Sequence, residues 1–298
     1  MNSTTVSKNE TEMANSKDVV VTGVSTGIGW GTTKVLISKG FRVFGSVRKQ
    51  TDADRLQREF GNGFVPLLMD VTDADAVHQA AQKVGSMIGD RNLVGLVNNA
   101  GMVVSGPLLY LRTSEYRRQL EVNTISPLVV IQAFAPLLGT DKKRQGPTGR
   151  VVNISSTGAK VSIPLLGAYS SSKSGLEGMS DALRRELMLF GIQVVLIEPG
   201  TVNTAMYDKG GDHVDLQLPP VLAGLQIKQW PTYHNSCIVD QADQIPVAYH
   251  GADFFGSLMY SVGVRNVHHE RHQAFTELSL HTIGVSLLAY RTEHAKSL

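Results

Sequence analysis

Six short apolar runs recur along the first two thirds of the chain, and none alternates cleanly between apolar and polar residues. They are "DVVVTGV" (18–24), "FRVFGSV" (41–47), "FVPLLMDV" (64–71), "LVGLVNNA" (93–100), "GRVVNISS" (149–156) and "IQVVLIEPG" (192–200). A strand with one face in water alternates with period two, whereas a strand covered on both faces does not. Helical patterns fill the gaps. In "TDADAVHQAAQKVGSMIG", Val77, Ala80, Ala81, Val84, Met87 and Ile88 share one helix face, with Thr72 as the expected N-cap. Strand and helix alternate from residue 18 to 200, which implies right-handed crossovers and a doubly wound, mostly parallel sheet. The predicted fold is a Rossmann-like α/β domain in three α/β/α layers, built as a single domain. "GTDKKRQGPTG" (139–149) reads as a polar surface loop.

The bulk properties exclude several function classes. The 298 residues are 42% apolar and 18% charged, with a formal net charge of +2. That charge is too small for a nucleic-acid footprint, and no basic cluster is interleaved with aromatics. Cys237 is the single cysteine, so no internal disulfide forms and a cytoplasmic location is expected. No apolar run is read as long enough to cross a bilayer, so no transmembrane segment is expected. The polar residues 1–17 read as a disordered tail without the apolar core of a secretory signal.

The first strand leads into "TGVSTGIGWG". Gly23, Gly27 and Gly29, with Ser25, Thr26 and Ile28 between them, sit where a strand turns into a helix. There, missing side chains let a pyrophosphate approach the backbone and the helix N-terminus. Tight strand–helix packing is the other use of such glycines. The second strand ends "SVRK", without the carboxylate that reads an adenosine ribose and repels a 2′-phosphate. Arg48 is suited to bidentate phosphate contacts, so NADP(H) is expected in preference to NAD(H). A plain surface charge is the alternative for Arg48. Asp70 and Val71 end the third strand, where the carboxylate would meet an adenine amino group. The fourth ends in Asn98, Asn99, Ala100 and Gly101, a small-residue turn suited to pass beside a ribose. All these tips lie at the carboxyl ends of parallel strands, where open α/β sheets bind ligands.

In "AYSSSKSGLEG", Tyr169 and Lys173 stand one helical turn apart, with Ser156 thirteen residues upstream. A solvated Tyr–Lys pair is the bland reading. Together, "TG-x3-GIG", "NNAG", the serine and "Y-x3-K" make residues 18–204 resemble the short-chain dehydrogenase/reductase family, leaning towards hydroxysteroid and retinol dehydrogenases. The resemblance implies a strand order 3-2-1-4-5-6-7 and reversible carbonyl–alcohol interconversion with NAD(P). It implies Asn123, Ser156, Tyr169 and Lys173 as catalytic residues, with Ser156 preferred to Ser155. It further implies that Tyr169 and Lys173 touch the cofactor, and that Pro199, Gly200, Val202 and Thr204 line its nicotinamide end.

The chemistry suits these residue types. A free tyrosine titrates near pH ~10, and a fixed ammonium beside it favours the phenolate. Ser156 would stabilise negative charge on the substrate oxygen as it develops. Asn123 lies four residues before Pro127. If the helix there is α-helical, the missing proline N–H frees the Asn123 carbonyl, which would hold a water leading to Lys173. A proline kink at a segment boundary is the alternative.

Beyond about Met206 the resemblance ends, and residues 205–298 read as a substrate loop and a divergent C-terminal segment of the same domain. "GSLMYSVGV" (256–264) is the one strand expected there. His268 and His272 in "HHERH" have i, i+4 spacing but lack the zinc-protease pattern, so no metal is expected. A homodimer or homotetramer is expected from the family and from an apolar stripe of Leu176, Met179, Leu183 and Leu187. That stripe would equally suit packing on its own sheet. The expected partner is a small, apolar carbonyl or alcohol such as a steroid, terpenoid or retinoid. The competing reading is a catalytically impaired protein that binds NADP(H) as sensor or scaffold.

Overall fold

A computed structural model describes residues 17–162, 164–200 and 202. Within them, six parallel strands form one sheet: β1 (Lys17–Val21), β2 (Phe41–Val47), β3 (Phe64–Leu68), β4 (Gly95–Asn98), β5 (Arg150–Ile154) and β6 (Gln193–Ile197). Their order is β3-β2-β1-β4-β5-β6. The chain winds outward through β2 and β3, then returns to the other side of β1 with β4. The tips of β1 and β4 therefore stand at the switch point of the sheet. The seventh strand of the expected order, the 256–264 strand, Thr204, the His268–His272 pair and the N-terminal tail up to Ser16 lie outside the described residues.

Residue alternation within each strand separates two cores. Val20, Phe44, Leu67, Leu96, Val151 and Val194 face one side, against α3 (Ala74–Ile88) and α5 (Ser126–Ala135). Val19, Val21, Val43, Val97, Val152 and Ile197 face the other, with Leu36 of α1 (Gly27–Ser38) and Leu56 of α2 (Gln50–Phe60). Both faces are dry, which is why the strands read as unbroken apolar runs. Helix α4 (Thr113–Leu120) leads through a π turn (Glu121–Ile125) into α5, and α6 (Gly167–Leu187) follows β5.

Two local expectations change. The N-cap of α3 is Asp73, whose carboxylate accepts from the Ala76 amide, while Thr72 bonds back to Asp70 through its amide and hydroxyl. The stripe on α6 packs at least in part on its own sheet: Leu176 and Leu187 are buried, and Met179 and Leu183 rest partly buried on the core beneath. Finally, Thr113–Thr140 is one helical run of 28 residues, long and apolar enough by length and composition to cross a bilayer. Half of its most apolar window is buried, with Val130, Ile131 and Phe134 packed under the sheet.

At the amino ends of the strands, away from the switch point, the Asp18 carboxylate is fully buried between Arg42, at 2.6 Å, and Arg91, at 3.0 Å. Asp18 and Arg42 are register partners on β1 and β2, and Arg91 precedes β4. One carboxylate thus ties three neighbouring segments. Asp18→Ala leaves two partly buried guanidinium groups without it, and is expected to lower unfolding free energy by about 3 kcal/mol. Urea denaturation of parent and variant checks this.

Candidate active site

The carboxyl ends of the strands open into a cleft of about 1130 Å³. Its floor is the switch point, and the tips of β1 and β4 are stitched there by side chains. The Thr22 hydroxyl accepts from the Asn99 and Ala100 amides, both at 3.0 Å. The Asn99 amide group donates to the carbonyls of Thr22 and Gly23, at 2.8 and 2.9 Å. Gly23 has φ of +68°, and a Cβ there would lie 2.8 Å from Ala100 Cα. Only glycine lets the turn pass so close to the β4 tip. The Gly23 amide is in turn held by the Ser46 hydroxyl at 2.9 Å.

Gly23, Ser25, Thr26, Gly27 and Ile28 line the cleft, as do Arg48, Asp70, Val71, Ala100, Gly101, Pro199, Gly200 and Val202. Two of the sequence candidates are placed differently. Gly29 abuts protein: a Cβ there would sit 2.3 Å from Asn99 Nδ2 and from the Gly23 carbonyl. Its missing side chain serves the docking of α1 on the two strand tips. Asn98 points into the sheet, where its amide donates to Asn153 Oδ1 at 2.8 Å, and its neighbour Asn99 takes the place on the cleft. Arg48 sits at the rim with 76% of its side chain exposed, 3.9 Å from an Asp70 oxygen. The other Asp70 oxygen shapes the turn by accepting from Thr72.

The other half of the cleft holds Ser156, Tyr169 and Lys173. Ser156 Oγ accepts from the Gly158 amide at 3.0 Å, which leaves its hydroxyl hydrogen free to donate elsewhere. A Cβ at Gly158 would be 3.3 Å from both Ser156 Oγ and Tyr169 Cε1, so the two side chains flank this glycine. Lys173 is 5% exposed, donates to the Ile154 carbonyl at 2.7 Å, and holds its ammonium 5.9 Å from the Tyr169 ring centre. Burial lowers its pKa to about 8, against an upward pull from Glu177.

The serines between Tyr169 and Lys173 fasten the helix that carries them. Ser171 accepts from the Tyr116 hydroxyl of α4 at 2.9 Å, and Ser172 from Asn123 Nδ2 at 3.1 Å. Asn123 is buried and acts through its side chain. Its Oδ1 accepts from the Met102 amide at 2.9 Å, and its Nδ2 also donates to the Met102 carbonyl at 3.0 Å. The backbone around it is a π turn in which the Ser126 amide reaches Glu121, so the α-helical geometry assumed for the freed carbonyl is not present. What the sequence does reveal is the asparagine itself; its clamp on the Met102 segment after β4 is a long-range contact.

Thr22 and Ser46 were missed. Both adjoin residues singled out from the glycine turn and "SVRK", but hydroxyls at strand tips carry no periodic signal. Glu115, Arg117 and Arg118 of α4 also line the cleft, and no motif marks them.

A family profile described as short chain dehydrogenase matches residues 17–214. An NADPH-dependent 3-dehydrocapnine reductase from Ornithobacterium rhinotracheale is 44% identical over 190 residues, covering 64% of this chain and 67% of that protein. Retinol dehydrogenase 5 from Mus musculus is 38% identical over 187 residues, covering 62% of this chain and 57% of that protein. The chain thus spans between about half and two thirds of these relatives' lengths. Among solved structures, a short-chain dehydrogenase from Streptomyces avermitilis superposes with a TM-score of 0.59 at 31% identity, covering 63% of this chain and 67% of that one. The profile takes in the sheet, the glycine turn and the Ser156–Lys173 half of the cleft alike, and the chain belongs to the short-chain dehydrogenase family.

Proposed function

We propose that the protein is an NADP(H)-dependent oxidoreductase that interconverts a carbonyl and an alcohol on an apolar small molecule, with Tyr169 as acid or base. The observation that carries this reading is a shared cleft: Ser156, Tyr169 and Lys173 open onto the same space as the Gly23–Ile28 turn. The residues fit a dinucleotide. The close-packed turn at Gly23 bares backbone for a pyrophosphate, while Arg48 and the absence of an acid at the β2 tip suit a 2′-phosphate. When bound, the nicotinamide supplies or accepts the hydride.

The chain's own residues supply the rest. In reduction, Tyr169 hands its phenolic proton to the substrate oxygen, and the buried Lys173 ammonium favours the phenolate left behind. Ser156, its acceptor lone pair engaged by Gly158, donates to the same oxygen as charge builds on it. Asn123 fixes the Met102 segment against α6, which sets the distance across the cleft. Met102, Val103, Val104 and Val202 provide apolar wall, in keeping with an apolar substrate. The relatives point the same way, since one is an NADPH-dependent reductase and another a retinol dehydrogenase.

Tyr169→Phe removes the proton donor and no phosphate contact. Hydride transfer in single turnover should fall about a thousandfold, with NADPH affinity by fluorescence titration unchanged; near-parental transfer would sink the mechanism. A panel of steroid, terpenoid and retinoid carbonyls supplies the substrate. Turnover should also decline as pH rises through about 8, where Lys173 loses its charge. Arg48→Ala should cut the NADPH-over-NADH preference in kcat/KM roughly ten- to a hundredfold, the worth of a charged hydrogen bond. A preference left unmoved would show that this strand tip does not read the phosphate.

A further inference from the structure

Behind the cleft wall lies a buried charged cluster that the proposed chemistry leaves unused. Ser155 Oγ donates to Glu177 Oε1 at 2.7 Å, and Glu177 Oε2 pairs with Lys160 Nζ at 2.6 Å. The same ammonium reaches Glu198 Oε1 at 3.4 Å. Ser155, Glu177 and Glu198 are all buried, whereas Lys160 enters from the surface with 45% of its side chain exposed.

Ser155 itself lines the cleft, and the two carboxylates stand beside cleft residues. Ser155 precedes Ser156 at the tip of β5, and Glu198 precedes Pro199 at the tip of β6. Glu177 follows Lys173 by one turn of α6. Two backbone bonds join the same tips, from the Ser155 amide to Ile197 at 2.7 Å and from the Thr157 amide to Pro199 at 3.0 Å. The cluster therefore sits where three elements that carry Ser156, Lys173 and the Pro199–Gly200 wall converge.

The charged groups facing Glu177 are Lys160 from the turn after β5, Glu198 from β6 and Lys173 on its own helix. Asp181 and Arg184, one turn further along α6, pair with each other. A buried carboxylate persists only where partners compensate it. Among the described residues, two carboxylates and two ammonium groups meet here, and Lys173 donates to the neutral Ile154 carbonyl. Burial drives that lysine toward its uncharged form, and Glu177 opposes the drift.

We infer that Glu177 is a positioning residue for the proposed reaction: it holds the tips of β5 and β6 against α6, and from one helical turn away its carboxylate acts on the Lys173 ammonium. The inference rests on the role given to Lys173 above, and deepens it. Residues Ser155, Lys160 and Glu198 are the frame through which Glu177 acts.

The experiment titrates Lys173 directly in the protein without cofactor, from the NMR shift of lysine labelled with carbon-13 at Cε, with Lys173→Arg identifying the signal. Glu177→Gln should lower the midpoint by about one pH unit. The charged share at pH 8 then falls roughly fivefold from the parent's half, and the alkaline limb of turnover moves to lower pH by the same amount. Lys160→Met should move the midpoint the other way, because it leaves Glu177 and Glu198 less neutralised. A merely structural cluster would cost stability in both variants without opposite shifts. If Glu177→Gln fails to fold, Lys160→Met still decides, since an unmoved or lowered midpoint there overturns the inference. An unmoved midpoint in folded Glu177→Gln overturns it too, while Tyr169→Phe tests the reaction separately.

Discussion

The cleft depends on two strand tips being held together at a point where the chain offers no further sheet bonding. β1 and β4 are neighbours in the sheet but far apart in sequence, and their ladder ends with the pair Val21 and Val97. Thr22 and Asn99 extend the pairing with side chains, satisfying main-chain groups that would otherwise be left bare in a half-buried turn. Gly29 presses α1 onto the same spot, and Gly23 lets Ala100 approach from the other side. The glycine turn, the "NNAG" turn and the start of α1 form one rigid junction. The part of the cleft lined by the Gly23–Ile28 turn and by Asn99–Gly101 hangs from it.

The half of the cleft that holds Ser156, Tyr169 and Lys173 is organised differently, around the first turns of α6. Residues facing one way, Tyr169 and Lys173, look onto the cleft, while Ser171 and Ser172 bind α4 and Asn123. The helix is thus fastened by short polar side chains where a purely apolar seam would let it slide. Packing in its later turns is apolar, through Met179, Leu183 and Leu187. Precise placement near the chemistry and bulk adhesion further along fall to different parts of one 21-residue helix.

Much of this was legible in the sequence because its signals are local or periodic. Unbroken apolar strands report a sheet covered twice, glycine spacing reports the turn after β1, and Tyr169 with Lys173 reports a helix face. The parallel six-strand order follows from those elements and the family resemblance together. Asn98 and Asn99 show where such reading stops: adjacent identical residues at a strand end differ only in pleat direction, which one residue of register reverses. Thr72 and Asp73 differ likewise by a single position. The Glu177 cluster was invisible for another reason, since Ser155, Lys160, Glu177 and Glu198 meet only when three elements dock.

The wide turn at Glu121–Ile125 carries a consequence for how this segment tolerates change. An α-helix advances about 100° per residue, so a turn with one extra residue rotates all that follows relative to what precedes. Here it lets α4 present Tyr116 to α6, Asn123 to the Met102 segment, and Val130 and Phe134 to the sheet, within one continuous rod. Shortening the turn by one residue would restore regular hydrogen bonding and yet swing the two ends out of phase by a quarter of a revolution or more. A substitution here disturbs the contacts of one side chain, whereas a deletion disturbs every contact that follows it. Between Thr113 and Thr140, length is the stricter inheritance.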